Sequence, residues 1–104
     1  TLGVVGDFNN SVIWDKNNSK TPFQRTIKRF DGLGLTSAYH SDKNEQHGSE
    51  TEGTLFHTKK KEKRYHIDYL FLRQTGNVTV GSYQDWIEFS DHVPIIVDIG
   101  NANQ

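Results

Sequence analysis

Short apolar runs separated by polar stretches predict a domain that is rich in strands. Residues 2–6 are apolar and Val-rich and stop at a polar, turn-forming cluster, which predicts a buried strand whose carboxyl end presents Asp7 and Asn9. Residues 93–99 are apolar on both faces apart from Asp98, which is typical of a central strand. Two further short strands are predicted, at residues 35–40 and 78–80.

A charged hairpin is predicted in the second half of the chain. Residues 54–58 and 65–73 have strand composition and are joined by the charged segment 59–64. Alternation along the second strand puts Asp68 on one face with Leu70. Because a charge beside apolar neighbours is costly unless it is paired or used, Asp68 is a candidate functional residue.

One amphipathic helix is predicted near the middle of the first half. Thr21-Pro22-Phe23-Gln24 offers a Thr N-cap, Pro at the first helical position and Gln three residues after the cap. The helix should begin at Pro22, place Phe23, Ile27 and Phe30 on one face, and end at Gly32-Leu33-Gly34.

The two longest polar stretches, residues 10–20 and 41–53, are predicted to be loops, the second of them mobile. The fold class is therefore α+β, with about six strands in a mostly antiparallel or mixed sheet and one main helix on its outer face.

Composition supports a folded domain and excludes several classes of protein. Leu, Ile, Val and Phe make up 26 of 104 residues, a larger share than in disordered chains. The formal net charge is only −1. No apolar run is long enough for a bilayer, and no charged start followed by an apolar stretch indicates a signal peptide. The absence of Cys excludes a disulfide framework and a Cys-based zinc site without fixing the compartment. A soluble protein is expected, and a cytoplasmic location is slightly favoured.

Polar residues at the ends or centres of apolar strands are the candidates for chemistry. They fall in three short motifs: Gly6-Asp7-Phe8-Asn9, His66-Ile67-Asp68-Tyr69 and Ser90-Asp91-His92-Val93-Pro94. A lone Asp at a strand end is more often a turn former. The combination of the three motifs, in this order, is what carries information.

The three motifs together resemble the endonuclease/exonuclease/phosphatase superfamily, over most of the chain from residue 4 to about residue 99. The resemblance implies a hydrolase of phosphate esters. It assigns the carboxylate that orients or deprotonates water to Asp7 and the group that holds a phosphate oxygen to Asn9. It assigns the histidine at the scissile phosphate to His92, the carboxylate that fixes this histidine to Asp68, and a metal ligand to Asp91.

The implied cofactor is Mg²⁺ or Mn²⁺, with Asp91 and Asp7 as ligands. A hard divalent ion prefers carboxylate oxygen and neutralises charge on a reacting phosphate. His92 is either a charged stabiliser beside a basic Asp7 or itself the base, and the sequence leaves both open. A one-metal and a two-metal mechanism also stay open.

The same resemblance implies that residues 1–104 are the C-terminal portion of one such domain. The family fold is a four-layer α/β sandwich of about twice this length, whose N-terminal half supplies a Glu and an Asn to the site. We expect the chain alone to be inactive and to self-associate through its exposed sheet face.

The substrate is not fixed by these motifs. A nuclease acting on DNA or RNA is the first hypothesis; a lipid or inositol phosphate hydrolase and a non-catalytic domain that retained the fold are the alternatives. Trp14 is a candidate for base stacking. The basic hairpin tip offers candidate phosphate contacts at Lys59, Lys60, Lys61 and Arg64, although such a tip can also be a solvated turn.

The remaining histidines are His40, His47, His57 and His66. They show no metal-binding spacing, and we interpret them as solvated or structural.

Overall fold

The computed structural model describes residues 3–16 and 20–100. This part of the chain is a small α+β protein with seven strands in three antiparallel sheets and three α-helices. Leu2 of the predicted first strand and residues 17–19 of the predicted first loop lie outside the described residues.

The elements follow one another along the chain with short connections. The strands are β1 (Gly3–Asp7), β2 (Thr36–Ser37), β3 (Leu55–Phe56), β4 (Arg64–Tyr65), β5 (Asp68–Leu72), β6 (Asn77–Val80) and β7 (Ile95–Asp98). The helices are α1 (Phe23–Gly32), α2 (Ala38–Lys43) and α3 (Tyr83–Trp86), with short 3₁₀ turns at Val12–Trp14 and His57–Lys59.

The central sheet has the order β1-β5-β2, so β5 is paired on both sides. Side chains of β5 alternate between its two faces, as predicted for residues 69–72, and the two faces contact different core clusters. Tyr69 and Phe71 pack with Phe23 and Leu35 beneath α1. Leu72 packs on the other side with a second cluster formed by Ala38, Tyr39 and Val78.

Helix α1 has the predicted apolar face but a different cap. Phe23 is buried, and Ile27 and Phe30 pack against the same core. The first N–H groups of the helix donate to the carboxylate of Asp15, from Phe23 at 2.6 Å and from Gln24 at 2.9 Å. The predicted Thr cap is therefore wrong, because a carboxylate eight residues upstream takes its place.

The predicted second strand of the hairpin is interrupted. Strands β3 and β4 pair as expected but contain two residues each, and β5 joins a different sheet. The break falls at His66 and Ile67, where the N–H groups of Ile67 and Asp68 donate to the side chain of buried Thr54 instead of continuing the ladder.

Two other predictions need correction. Strand β7 is not central: it pairs with β6 alone, and Ile96 is 58% exposed. The predicted strand at residues 35–40 is limited to β2, because Ser37 caps the start of α2, which also shortens the predicted loop at residues 41–53.

Strand β1 is exposed along its whole length, although its Val-rich sequence predicts burial. Val5 is 60% exposed. Within residues 3–16 and 20–100, every helix is too short or too polar to cross a lipid bilayer.

Candidate active site

Two carboxylates face each other where β1 and β5 meet. Asp7 and Asp68 are directly opposite in the antiparallel register of the two strands. Like charges in this position repel each other and destabilise a strand pair. A positive group nearby would relieve this repulsion, and the imidazole of His92 lies next to both carboxylates.

His92 lies between the two carboxylates. Its Nδ1 is 2.9 Å from Oδ2 of Asp68, and its Nε2 is 3.7 Å from Oδ2 of Asp7. Because a carboxylate only accepts, Nδ1 carries a proton and donates it to Asp68. This bond fixes the ring and turns Nε2 towards Asp7.

The surrounding charges favour the protonated form of His92. Burial by itself lowers the pKa of this imidazole. The hydrogen bond with Asp68 and the negative charges of Asp68, Asp7 and Asp91 outweigh burial and raise the pKa above its usual value.

Thr54 holds the segments that carry Asp68 and His92 in place. Its hydroxyl accepts from the N–H groups of Ile67 and Asp68, and its carbonyl accepts from Val93 at 2.9 Å. The side chain is fully buried. Sequence reasoning missed Thr54, since nothing in the pattern distinguishes it from other Thr residues next to a strand.

The end of β1 is fixed by a partly buried neighbour. Phe8 packs edge-on against the rings of Tyr69 and Phe71 and so anchors the chain between Asp7 and Asn9. The N–H of Asn9 donates to Oδ1 of Asp7 at 2.7 Å, and Asn9 adopts a left-handed conformation with φ of 48°. Asp7 is thus oriented by the residue that the motif places beside it.

The three groups open into a cleft of about 300 Å³. Polar lining comes from Asp7, Asp68 and His92. The apolar lining includes Val5, Leu70, Val93 and Ile95. Ligand atoms of Asp7, Asp68 and His92 lie within 4.8 Å of one another, close enough to share one metal ion.

Other predicted site residues lie outside this cleft. The backbone carbonyl of Asp91 accepts from Phe56, and its carboxylate acts on His92 through its charge but is not one of the three converging groups. Trp14 packs against Tyr65 with ring centroids 5.4 Å apart and is 45% exposed.

The basic hairpin tip also lies apart from the cleft. Lys59, Lys60, Lys61 and Arg64 are exposed. Lys61 and Arg64 line a separate groove with Tyr83, whose hydroxyl donates to the carbonyl of Lys59 at 2.8 Å.

A second polar cluster, absent from the sequence-based candidates, is formed by His40, His47 and Glu50. Burial and the charge of His40 lower the pKa of His47 to about 4. Burial raises the pKa of Glu50, but hydrogen bonds from His40 and Gly48 outweigh it and bring the value down to about 2. The sequence spacing of these histidines does not indicate a metal site. Folding nevertheless brings His40 and His47 together with Glu50.

No protein-family model, no curated protein and no solved structure matches the chain. The basis for a function is therefore the three motifs and the geometry of the side chains that they contribute.

Proposed function

We propose that this chain carries the catalytic residues of a metal-dependent phosphate ester hydrolase, with a phosphodiester of DNA or RNA as the first candidate substrate. The observation that supports this most is the convergence of Asp7, Asp68 and His92 from three distant motifs into one cleft. An Asp–His–Asp arrangement beside an open cleft suits activation of water and stabilisation of a negatively charged transition state.

His92 acts as the positively charged donor at the phosphate in this proposal. Asp68 accepts from Nδ1, which orients the ring and compensates its positive charge. Nε2 faces the cleft, where it can donate to a phosphate oxygen.

Asp7 acts as the base that orients and deprotonates water. Its Oδ1 is held by the N–H of Asn9, while Oδ2 lies on the side of His92. Asn9 follows two residues later and is exposed, and its side-chain amide would donate to a phosphate oxygen in this mechanism.

The donor set fits a hard divalent cation. Two facing carboxylates with one imidazole leave uncompensated negative charge in the cleft, and carboxylate oxygen is the ligand that Mg²⁺ and Mn²⁺ prefer. Asp7 would hold the ion; Asp91, which the motif resemblance implies as a second ligand, is not among the three residues whose ligand atoms converge. When bound, the cation neutralises charge on the phosphate oxygens.

The finer architecture belongs to the same proposal. We propose that the described sheets form the C-terminal portion of a four-layer α/β sandwich, with the face that carries Val5 and Leu70 directed towards a second sheet. The exposure of β1 supports this arrangement, since an apolar strand normally packs against a partner layer.

Turnover by site variants tests the function. In the protein at its full natural length, with Mg²⁺ present, His92→Ala and Asp7→Asn should each reduce cleavage by about 10²-fold or more, because each removes a group that acts on the reacting phosphate. The assay compares DNA, RNA, sphingomyelin and inositol phosphates at fixed metal concentration.

Matched controls separate chemistry from folding. His57→Ala and Asp98→Asn alter exposed residues outside the cleft and should leave turnover unchanged. Wild-type rates in both site variants would refute the assignment. Failure of the wild-type protein to hydrolyse any of the four substrates would favour the non-catalytic alternative.

A further inference from the structure

The cluster of His40, His47 and Glu50 lies on the side of β5 opposite to the cleft, beside Tyr69. Nε2 of His40 and Oε2 of Glu50 form a 2.6 Å hydrogen bond, which a bound ion would replace, and the side chains of both residues are more than nine-tenths buried. The rings of His40 and His47 stack with centroids 3.7 Å apart. Ligand atoms of the three residues all lie within 4.8 Å of one another.

A fourth group beside this cluster points independently to a ligand. His66 is 96% buried, and its ring centroid lies 5.3 Å from that of His40. Its Nδ1 lies 3.0 Å from the carbonyl of Glu52, which can only accept, so Nδ1 carries the proton. Nε2 of the neutral ring is then a buried lone pair without a hydrogen-bond partner among the described residues.

His47 has a similar deficit. Its Nδ1 is buried and also has no hydrogen-bond partner among residues 3–16 and 20–100. Buried polar nitrogen atoms without partners cost free energy. Two such atoms at one cluster indicate a group that would satisfy them.

The outer contacts of the cluster are of the kind that orients metal-binding side chains. Metal-binding imidazoles are commonly oriented by a hydrogen bond at the nitrogen that does not bind the metal. Nδ1 of His40 is 2.6 Å from Oγ of Ser37, and His66 uses the carbonyl of Glu52 in the same way. Glu50 is in turn held by the N–H of Gly48 at 3.0 Å.

The geometry points to a second metal centre, a Zn²⁺ site formed by His40, His47 and Glu50 with His66 at its edge. Two imidazoles and a carboxylate suit zinc, whereas the carboxylates of the cleft suit magnesium. A cavity of about 360 Å³ lined by His40 and His47 gives access from solvent. Glu50 and His66 line a smaller one of about 110 Å³.

The role of this zinc is structural. His40 belongs to α2, and His47 and Glu50 belong to the irregular segment that follows it. The ion cross-links that segment to the core next to Tyr69. It therefore holds residues 44–50 in place without taking part in phosphate chemistry.

Zinc binding to site variants tests the proposal. The protein, stripped with a chelator and carrying Asp7→Asn and His92→Ala to disable the cleft, is titrated with Zn²⁺ in excess Mg²⁺ by calorimetry. We expect one equivalent of zinc. Adding His47→Gln should lower the affinity by about 100-fold or more, since removing even an orienting partner costs about 10- to 100-fold.

His57→Gln in the same background is the matched control and should bind zinc as before, because His57 is exposed and outside the cluster. Circular dichroism of the zinc-free proteins checks that His47→Gln keeps the fold. Absence of zinc binding in the parent, or equal affinity in the parent and His47→Gln, would overturn the proposal and leave a hydrogen-bonded His–Glu network in its place.

Discussion

Thr54 shows how much of the candidate site depends on one buried hydroxyl. The N–H groups of Ile67 and Asp68 both donate to it, and its own backbone bonds reach Tyr65 and Val93. Three segments that are distant in sequence meet at this residue. Its contribution is positional, since it brings Asp68 and His92 together without lining the cleft.

Thr54→Val should therefore destabilise the protein by about 1–3 kcal/mol, because it keeps the shape but leaves two buried N–H groups without an acceptor. Thr54→Ser keeps the hydroxyl and loses one methyl group, at a cost of about 0.8 kcal/mol. Urea unfolding monitored by circular dichroism measures both. A smaller loss for the valine variant than for the serine variant would contradict the hydrogen-bonding role.

Single residues also mark the limit of what the sequence predicts about the site. Asp7, Asp68 and His92 could be selected because each is a polar group within an apolar strand context. His47 and Glu50 could not be, since they lie in the polar stretch 41–53 where such residues are common, and His40 ends a predicted strand with nothing to mark it as functional. Their significance comes from burial, which depends on the path of the whole chain.

At the scale of elements, helix α1 is stabilised by two kinds of contact, and only one of them could be predicted from the local sequence. Its apolar face follows from the spacing of Phe23, Ile27 and Phe30, and the structure confirms that face. Its N-terminus depends on Asp15, a residue outside the local sequence signal. Capping by a distant side chain is a tertiary contact, so local rules could not predict it.

A pair of cap variants distinguishes the two caps. Asp15→Ala should cost about 1–2 kcal/mol, because it removes the acceptor of two helix N–H groups and a negative charge at the positive end of the helix dipole. Thr21→Ala should change stability by less than about 0.5 kcal/mol.

Urea unfolding midpoints at constant slope provide the comparison. If Thr21→Ala lowered the free energy of unfolding as much as Asp15→Ala, the result would support the local capping box that the sequence predicts.

In the strands too, the alternation of side chains could be predicted from the sequence, whereas the pairing of strands could not. The alternation of Tyr69, Leu70, Phe71 and Leu72 is predicted and observed, because a period of two leaves few choices. The central position assigned to β7 is wrong, because an apolar run on both faces does not say how many neighbours a strand has.

At the scale of the whole molecule, three small sheets take the place of the single sheet that was predicted. Among the strands of residues 3–16 and 20–100, only β5 is paired on both sides. The segment after α3 is connected to β3 by an isolated bridge between Leu55 and His92. The cleft thus depends on contacts between sheets. Sequence patterns describe strands one at a time and do not contain this information.

An exposed apolar face predicts association between copies of the chain. Val5 is 60% exposed and lines the cleft with Leu70 and Ile95, and a net charge of −1 provides little repulsion. We expect sedimentation velocity of the 104-residue chain to show a concentration-dependent rise in sedimentation coefficient. Val5→Thr should weaken this association.

Phe89→Ser is the control, because Phe89 is 75% exposed but lies outside the cleft. A monomer at all concentrations would contradict the prediction. So would association that is sensitive to Phe89→Ser and insensitive to Val5→Thr.

The alignment of β1 with β5 has a consequence for folding errors. If the two strands slipped by one residue, Asp68 would turn into the aromatic core and the phenol of Tyr69 would turn into the cleft. The slipped strand would bury an uncompensated carboxylate and lose the bonds from Tyr69 to the carbonyls of Asn10 and His66. The carboxylate of Asp68 therefore also favours the correct register, because a misaligned strand would have to bury it away from His92.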